Sequence, residues 1–218
     1  MSRKQKVTEP MIIQNEHGNV LAEYSPELLS TIKNTVAKGA TNEELYMFLQ
    51  IASMYDLNPF LKEIWFTKMK DEVAIMTSRD GYAKIAKRDP EFKKCQSMAV
   101  FENDVFKTKL EMGEVVGITH EFGQNDRGKL VGAYAILITY SGGKLYSYVD
   151  YREYDKRNYI WKNYPTAMLR KVAENDVYKR FANINGISTI EDMPSGYSDY
   201  AIENEIIETN KINGDGLE

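Results

Sequence analysis

The sequence predicts an α+β fold, and three observations carry that prediction. Two helical patterns with clear start signals fill residues 26–56. Short alternating runs separated by turn signals fill the middle. One long helical pattern, opened by a proline, follows them. The expected order is an N-terminal helical hairpin, a β-hairpin, an antiparallel β-meander packed on helices, and a closing long helix, which together imply one compact domain.

Residues 1–24 show no period and are expected to be a flexible N-terminal arm or a short edge strand. Ser25-Pro26-Glu27 reads as a helix start, with Ser as N-cap, Pro at the first helical position and Glu at the positive end. Leu28, Leu29, Ile32 and Val36 share a face, and Gly39 is the stop signal. Thr41 to Glu44 has the spacing of a capping box, and Leu45, Phe48, Leu49 and Ala52 follow at helical intervals until Asn58-Pro59. Ile64 to Met69 and Val73 to Ser78 read as a β-hairpin around Lys70-Asp71-Glu72, and Gly81 to Arg88 as a short helix. From Cys95 to Tyr151, turn signals at 102–104, 112–114, 124–128 and 141–143 divide a series of strands, with Val131 to Tyr140 as the central one. Pro165 opens a helix to about Ala182 whose stripe is Met168, Leu169, Val172, Ala173, Val177 and Phe181. The domain organisation expected is therefore an arm over 1–24, a core over 25–187 and a weakly ordered acidic tail over 188–218.

Composition excludes several classes. The chain has 218 residues, 43% hydrophobic and 28% charged, the balance of an ordinary globular protein. No apolar run is long enough to cross a bilayer, and the basic residues at Met1 to Lys6 are not followed by the hydrophobic stretch of a signal peptide. The expected location is cytoplasmic. One cysteine, Cys95, rules out an internal disulfide framework, and His17 and His120, far apart, argue against a zinc cluster. The net charge of −4 is unevenly spread: from Ser188 onward eight acidic residues face Lys211 alone, giving that segment −7 and the body before it +3. An acidic tail on a mildly basic body suits a polyanion binder, and also an ordinary solvated tail.

Two motifs come close to enzyme signatures. Gly123, Gly128 and Lys129 nearly spell the phosphate-binding G-x-x-x-x-G-K-[ST], but Leu130 stands where the Mg²⁺-ligating hydroxyl belongs. The stretch also lies between two strands, as a hairpin turn does, so the protein is expected to use no ATP and no other cofactor. Asp89, Glu91 and Lys93 offer a faint two-metal nuclease pattern at a helix end, where a solvated loop is the alternative. No Ser-His-Asp or Cys-His arrangement presents itself, and no metal or catalytic residue is assigned.

The basic residues say more. Lys62, Lys68, Lys70, Arg79, Lys84, Lys87 and Arg88 surround the hairpin and short helix, with Trp65, Phe66 and Tyr82 among them. Arg152, Lys156, Arg157, Lys162, Arg170, Lys171, Lys179 and Arg180 cover the connection into the long helix, with Tyr148, Tyr151, Tyr154, Tyr159, Trp161 and Tyr164. Cations that neutralise phosphates together with rings that stack on bases make a sequence-tolerant single-strand binder. A charged face with ring fillers reads the same way.

The runs Pro26-Glu27-Leu28-Leu29, Lys38-Gly39-Ala40-Thr41, Tyr55-Asp56-Leu57-Asn58-Pro59-Phe60 with Lys62-Glu63-Ile64, and Arg79-Asp80-Gly81-Tyr82 resemble the front half of the RecT/Redβ (Bet) family of phage single-strand annealing proteins. Trp161 to Glu174 resembles that family's closing helix, W-x-x-x-P-x-x-M-L-R-K. The matches keep family order over about residues 25–187, while 92–150 agrees only in character. The resemblance implies a protein, not an enzyme, that binds single-stranded DNA and the annealed duplex. It implies annealing of complementary strands without ATP, as an oligomeric ring or helical filament in homologous recombination. It also implies work beside a phage 5′→3′ exonuclease and contact with host single-strand binding protein. In such proteins a longer helical C-terminal region usually serves partner contacts; the resemblance leads one to expect that region either to be lacking or to be replaced by the short acidic segment. DNA is expected to lie between a hairpin side bearing Lys62, Lys68, Lys70 and Arg79 and a closing-helix side bearing Arg157, Lys162, Arg170, Lys171 and Lys179, with Lys38 as a further contact. Trp161 is expected either to stack on a base or sugar or to pack the helix start. Two other classes stay open, a Mg²⁺-dependent nuclease and a phage structural or adaptor protein.

Overall fold

The computed structural model describes residues 9–69, 72–156 and 158–189. Of the expected tail over 188–218, residues 190–218 lie outside the described residues. The fold is α+β, as expected. Where the element order implied one compact domain, the chain divides into two compact units, one drawn from Met1–Gly81 with Gly186–Glu218 and the other from Tyr82–Asn185.

In the first unit, strands β1 (Met11–Gln14) and β2 (Val20–Tyr24) pair antiparallel. Residues 11–24 are thus a β-hairpin rather than part of a flexible arm. The turn is held by the Asn15 side chain, which accepts from the backbone N–H groups of His17 and Asn19. Ile13 is fully buried, and Gln50 and Ser53 hydrogen-bond to Gln14 and Tyr24. One buried residue plus polar ties to a helix is too short a pattern to rise above an aperiodic stretch in sequence.

Helix α1 (Pro26–Thr35) begins as read, with Ser25 Oγ accepting from Leu28 N. Helix α2 (Asn42–Met54) has the full capping box: Thr41 Oγ1 accepts from Glu44 N, and Glu44 Oε2 accepts from Thr41 N at 2.8 Å. Glu44 also receives Lys68 Nζ at 2.7 Å, from the strand that follows. Burial works to raise the Glu44 carboxyl, but Lys68 and the Thr41 N–H outweigh it and hold the group below its ordinary value.

The Asn58-Pro59 signal is a compact turn. Asn58 Oδ1 accepts from Phe60 N and Leu61 N, and Glu63 Oε2 accepts from Asn58 N at 2.7 Å. The turn closes with Lys62 in the left-handed region at φ 55°. Strands β3 (Ile64–Met69) and β4 (Glu72–Thr77) then pair antiparallel from Ile64↔Thr77 to Met69↔Glu72, and β10 (Ser188–Thr189) joins β4 in parallel. Helix α3 (Arg79–Ala86) starts two residues earlier than read. A Cβ on Gly81 would lie 2.5 Å from the Glu63 carbonyl oxygen and against Thr77 Oγ1, so only glycine fits this helix start.

In the second unit, β5 (Phe92–Phe101), β8 (Leu130–Thr139) and β9 (Lys144–Asp150) form an antiparallel sheet with β8 central. Strands β6 (Val105–Glu111) and β7 (Glu114–Glu121) pair only with each other. The expected meander is therefore interrupted: β5 skips its sequence neighbours and meets β8. Turn signals locate strand ends, but they do not say which strands become neighbours. Two short helices, α4 (Tyr151–Tyr154) and α5 (Tyr159–Asn163), precede α6 (Pro165–Phe181). Along β8, Ala133, Ala135 and Leu137 are fully buried on one face, which α6 covers with Leu169, Val172, Ala173 and Val177.

Replacing Glu44 with Ala removes one half of a capping box and the partner of Lys68. Unfolding free energy is expected to fall by about 1–2 kcal/mol, against about 1 kcal/mol for Thr41→Ala. Urea denaturation measures both, and an E44A chain as stable as the parent would show that neither bond matters.

Candidate nucleic-acid interface

The expected DNA contacts do not all stand free. In the first unit, Lys38 and Lys62 are exposed, Lys38 just past α1 and Lys62 at the end of the Asn58 turn beside exposed Phe60 and Leu61. Arg79 is exposed and lies 2.9 Å from Asp80. Lys68 is different: half-buried and bound to Glu44, its charge is neutralised within the fold. In the second unit, Lys162 on α5 and Arg170 on α6 are exposed, while Lys171 and Lys179 are half-buried. Lys179 Nζ lies 5.9 Å from the centre of the Tyr82 ring. Lys70 and Arg157 lie outside the described residues.

Of the two expectations for Trp161, the structure takes the packing one. Its side chain is 1% exposed, with its ring 6.4 Å from that of Tyr151, so it is not a surface stacking platform. The reason is local: Asn158 caps α5 by accepting from Trp161 N at 3.0 Å, which turns the indole inward. The rings beside it, Tyr159 and Tyr164, are 68% and 61% exposed and flank Lys162. They have the amphipathic character that suits base stacking.

Arg152, counted among the basic set, is tied to Asp150 through Nε at 3.1 Å and Nη2 at 2.7 Å. The guanidinium beside it holds the Asp150 carboxyl down to about 2. Arg170 behaves otherwise. Its Nε donates to Ser97 Oγ at 3.0 Å, and Ser97 in turn donates to Glu174.

The near-P-loop stretch connects β7 to β8, strand to strand, and its residues serve a buried carboxylate. Asp104 has no exposed side-chain surface. It accepts from Phe101 N, from Gly123 N, from Arg127 through Nε at 2.9 Å and Nη2 at 2.5 Å, and it lies 3.1 Å from His120 Nε2. An ionised carboxylate can only accept, so His120 Nε2 carries a hydrogen. In the neutral ring, Nδ1 is then the acceptor for the Tyr134 hydroxyl at 3.2 Å. Arg127 is sandwiched between the rings of Phe101 and Phe122, 4.1 and 4.2 Å from their centres. Phe106 of β6 stacks on Tyr134 and Tyr148, so the β6–β7 hairpin covers the sheet face opposite α6. Burial, with Tyr148 close by, pushes the Tyr146 hydroxyl up to about 12.

This network was not found in the sequence. Asp104 read as a turn residue, His120 as an isolated histidine and Arg127 as part of a loop, and 16 and 23 positions separate them from Asp104. The only trace was a cluster of turn formers with an arginine inside.

The Arg127 guanidinium holds the Asp104 carboxyl well below the usual carboxylate range, against the opposing effect of burial. A depressed folded value stabilises the protein above the unfolded value of about 4 and loses that contribution as pH falls below it. Asp104→Asn should cost about 3 kcal/mol at neutral pH. It should also flatten the loss of stability in acid, which denaturant titrations at several pH values would measure. An unchanged acid limb would show that Asp104 does not carry it.

Among the described residues no helix is long and apolar enough to cross a membrane. Compared with known families, the chain matches the RecT family over residues 22–208. No curated protein matches it.

Proposed function

The chain belongs to the RecT family, a family of phage recombination and annealing proteins, and from that premise we propose that it binds single-stranded DNA and anneals complementary strands. The observation that carries this reading is the match over residues 22–208, nearly the whole chain. The surface supports it with exposed Lys38, Lys62, Lys162 and Arg170, and with exposed Tyr159 and Tyr164 beside Lys162.

Nothing covalent happens in this reading. Cations neutralise phosphates and release their counterions, which removes the repulsion between two strands. Rings hold bases by their faces and leave base edges free to test a partner. Many protomers in a ring or filament keep the strands in register and concentrate them, so catalysis is positional. No ATP is consumed. The protein works in the cytoplasm of a bacterial host, on single strands supplied by a phage 5′→3′ exonuclease and coated by host single-strand binding protein.

The test is annealing of labelled complementary oligonucleotides with and without ATP and Mg²⁺. Equal rates with ATP, with ADP and with neither are expected, with DNA length unchanged. A strict ATP requirement would sink the proposal. Shortened DNA in Mg²⁺ would identify a nuclease, and no binding at low salt would identify a structural or adaptor protein.

A further inference from the structure

Ser97 lies on β5, opposite Ala135 of β8, on the sheet face that α6 covers, and only 5% of its surface is exposed. Its hydroxyl offers one hydrogen and two lone pairs. The hydrogen goes to Glu174 Oε1, and one lone pair accepts Arg170 Nε. Arg170 and Glu174 are one turn apart on α6, the spacing at which arginine and carboxylate ordinarily pair directly. Here the serine stands between them. It occupies the Nε side of the guanidinium and engages the carboxylate, and Arg170, which is exposed, makes no other hydrogen bond or ion pair among the described residues.

We propose that Ser97 is a positioning residue for Arg170: by holding Nε and keeping Glu174 engaged, it presents the two Nη groups as a fixed fork to a DNA phosphate. The idea rests on the reading that this chain binds single-stranded DNA. The physical reason is geometric. A guanidinium recognises phosphate best through two parallel N–H groups, and a plane fixed at Nε leaves those groups oriented before the ligand arrives. A direct Glu174 pair would occupy the same N–H groups and set a negative charge where the phosphate must lie. The hydrogen bond that Ser97 gives to Glu174 also polarises its oxygen as an acceptor for Nε.

The experiment is fluorescence anisotropy of a labelled mixed-sequence oligonucleotide titrated with the full chain over a range of salt. Ser97→Ala is expected to raise Kd roughly three- to tenfold at low salt and to make the dependence of log K on log[salt] shallower. Ser97→Thr, which keeps the hydroxyl, should restore both. Ser97→Ala should add no loss in an Arg170→Ala background. In a Glu174→Ala background its effect should shrink, because no carboxylate remains to capture Arg170. Parental affinity for Ser97→Ala, or the same loss with Arg170 absent, would overturn the proposal. If Ser97→Ala loses its fold by circular dichroism, Arg170→Lys decides: it keeps the charge without Nε or the fork, so a similar loss is expected and parental affinity overturns the idea. Failure of the unsubstituted chain to bind the oligonucleotide at low salt would instead overturn the functional reading itself.

Discussion

A carboxylate shut away from water must be answered by the protein, and the second unit is organised around that requirement at Asp104. Two backbone N–H groups, a guanidinium and an imidazole surround it. They come from three parts of the chain: Phe101 at the end of β5, Gly123 and Arg127 in the β7–β8 connection, and His120 on β7. A buried charge with one partner removed is far more costly than an exposed one, so these segments are held to a common geometry. Through His120 and Tyr134 the constraint reaches β8, the central strand. Through Phe106 it lays the β6–β7 hairpin on the outer sheet face, which leaves the inner face to α6 and to Arg170.

Legibility followed the range of the interactions. Ser25 and Thr41 with Glu44 mark helix starts by bonds to residues one turn away, Pro165 marks one by its fixed φ, and each start is where the spacing put it. The β3–β4 hairpin also came from two local strand-like runs about a turn, and the central position of β8 from the nearly all-apolar run Val131 to Tyr140. The N-terminal hairpin reads in sequence only as an arm or a short edge strand, because two short strands with one buried residue between them carry little periodic signal. The interrupted meander was missed because pairing partners are chosen by the aromatic and ionic contacts of β6–β7, not by turn chemistry.

The candidate site was legible as a set of residue types and not as a set of available groups. Lysine and arginine look alike in sequence whether they face water or a carboxylate. Lys68 is held by Glu44 and Arg152 by Asp150, while Arg170 is held by a neutral hydroxyl at one edge only. Trp161 shows the same limit for rings: its neighbours Tyr159 and Tyr164 are the exposed ones, and a cap at Asn158 decides which is which. For Lys68 and Arg170 availability is set by partners far along the chain, Glu44 at 24 positions and Ser97 at 73.

Strand β5 meets β8 across a separation that would be entropically costly to close as one open loop. The chain between them is not open: β6 and β7 pair with each other from Val105↔Glu121 to Glu111↔Glu114, around a two-residue reversal. Once that local ribbon exists, the ends of β5 and β8 are brought close, and the chain left to close is only residues 102–104 on one side and 122–129 on the other. The sheet's most distant pairing thereby becomes an almost local event, and the ribbon acts as a clasp that lowers the barrier to assembling the central strand.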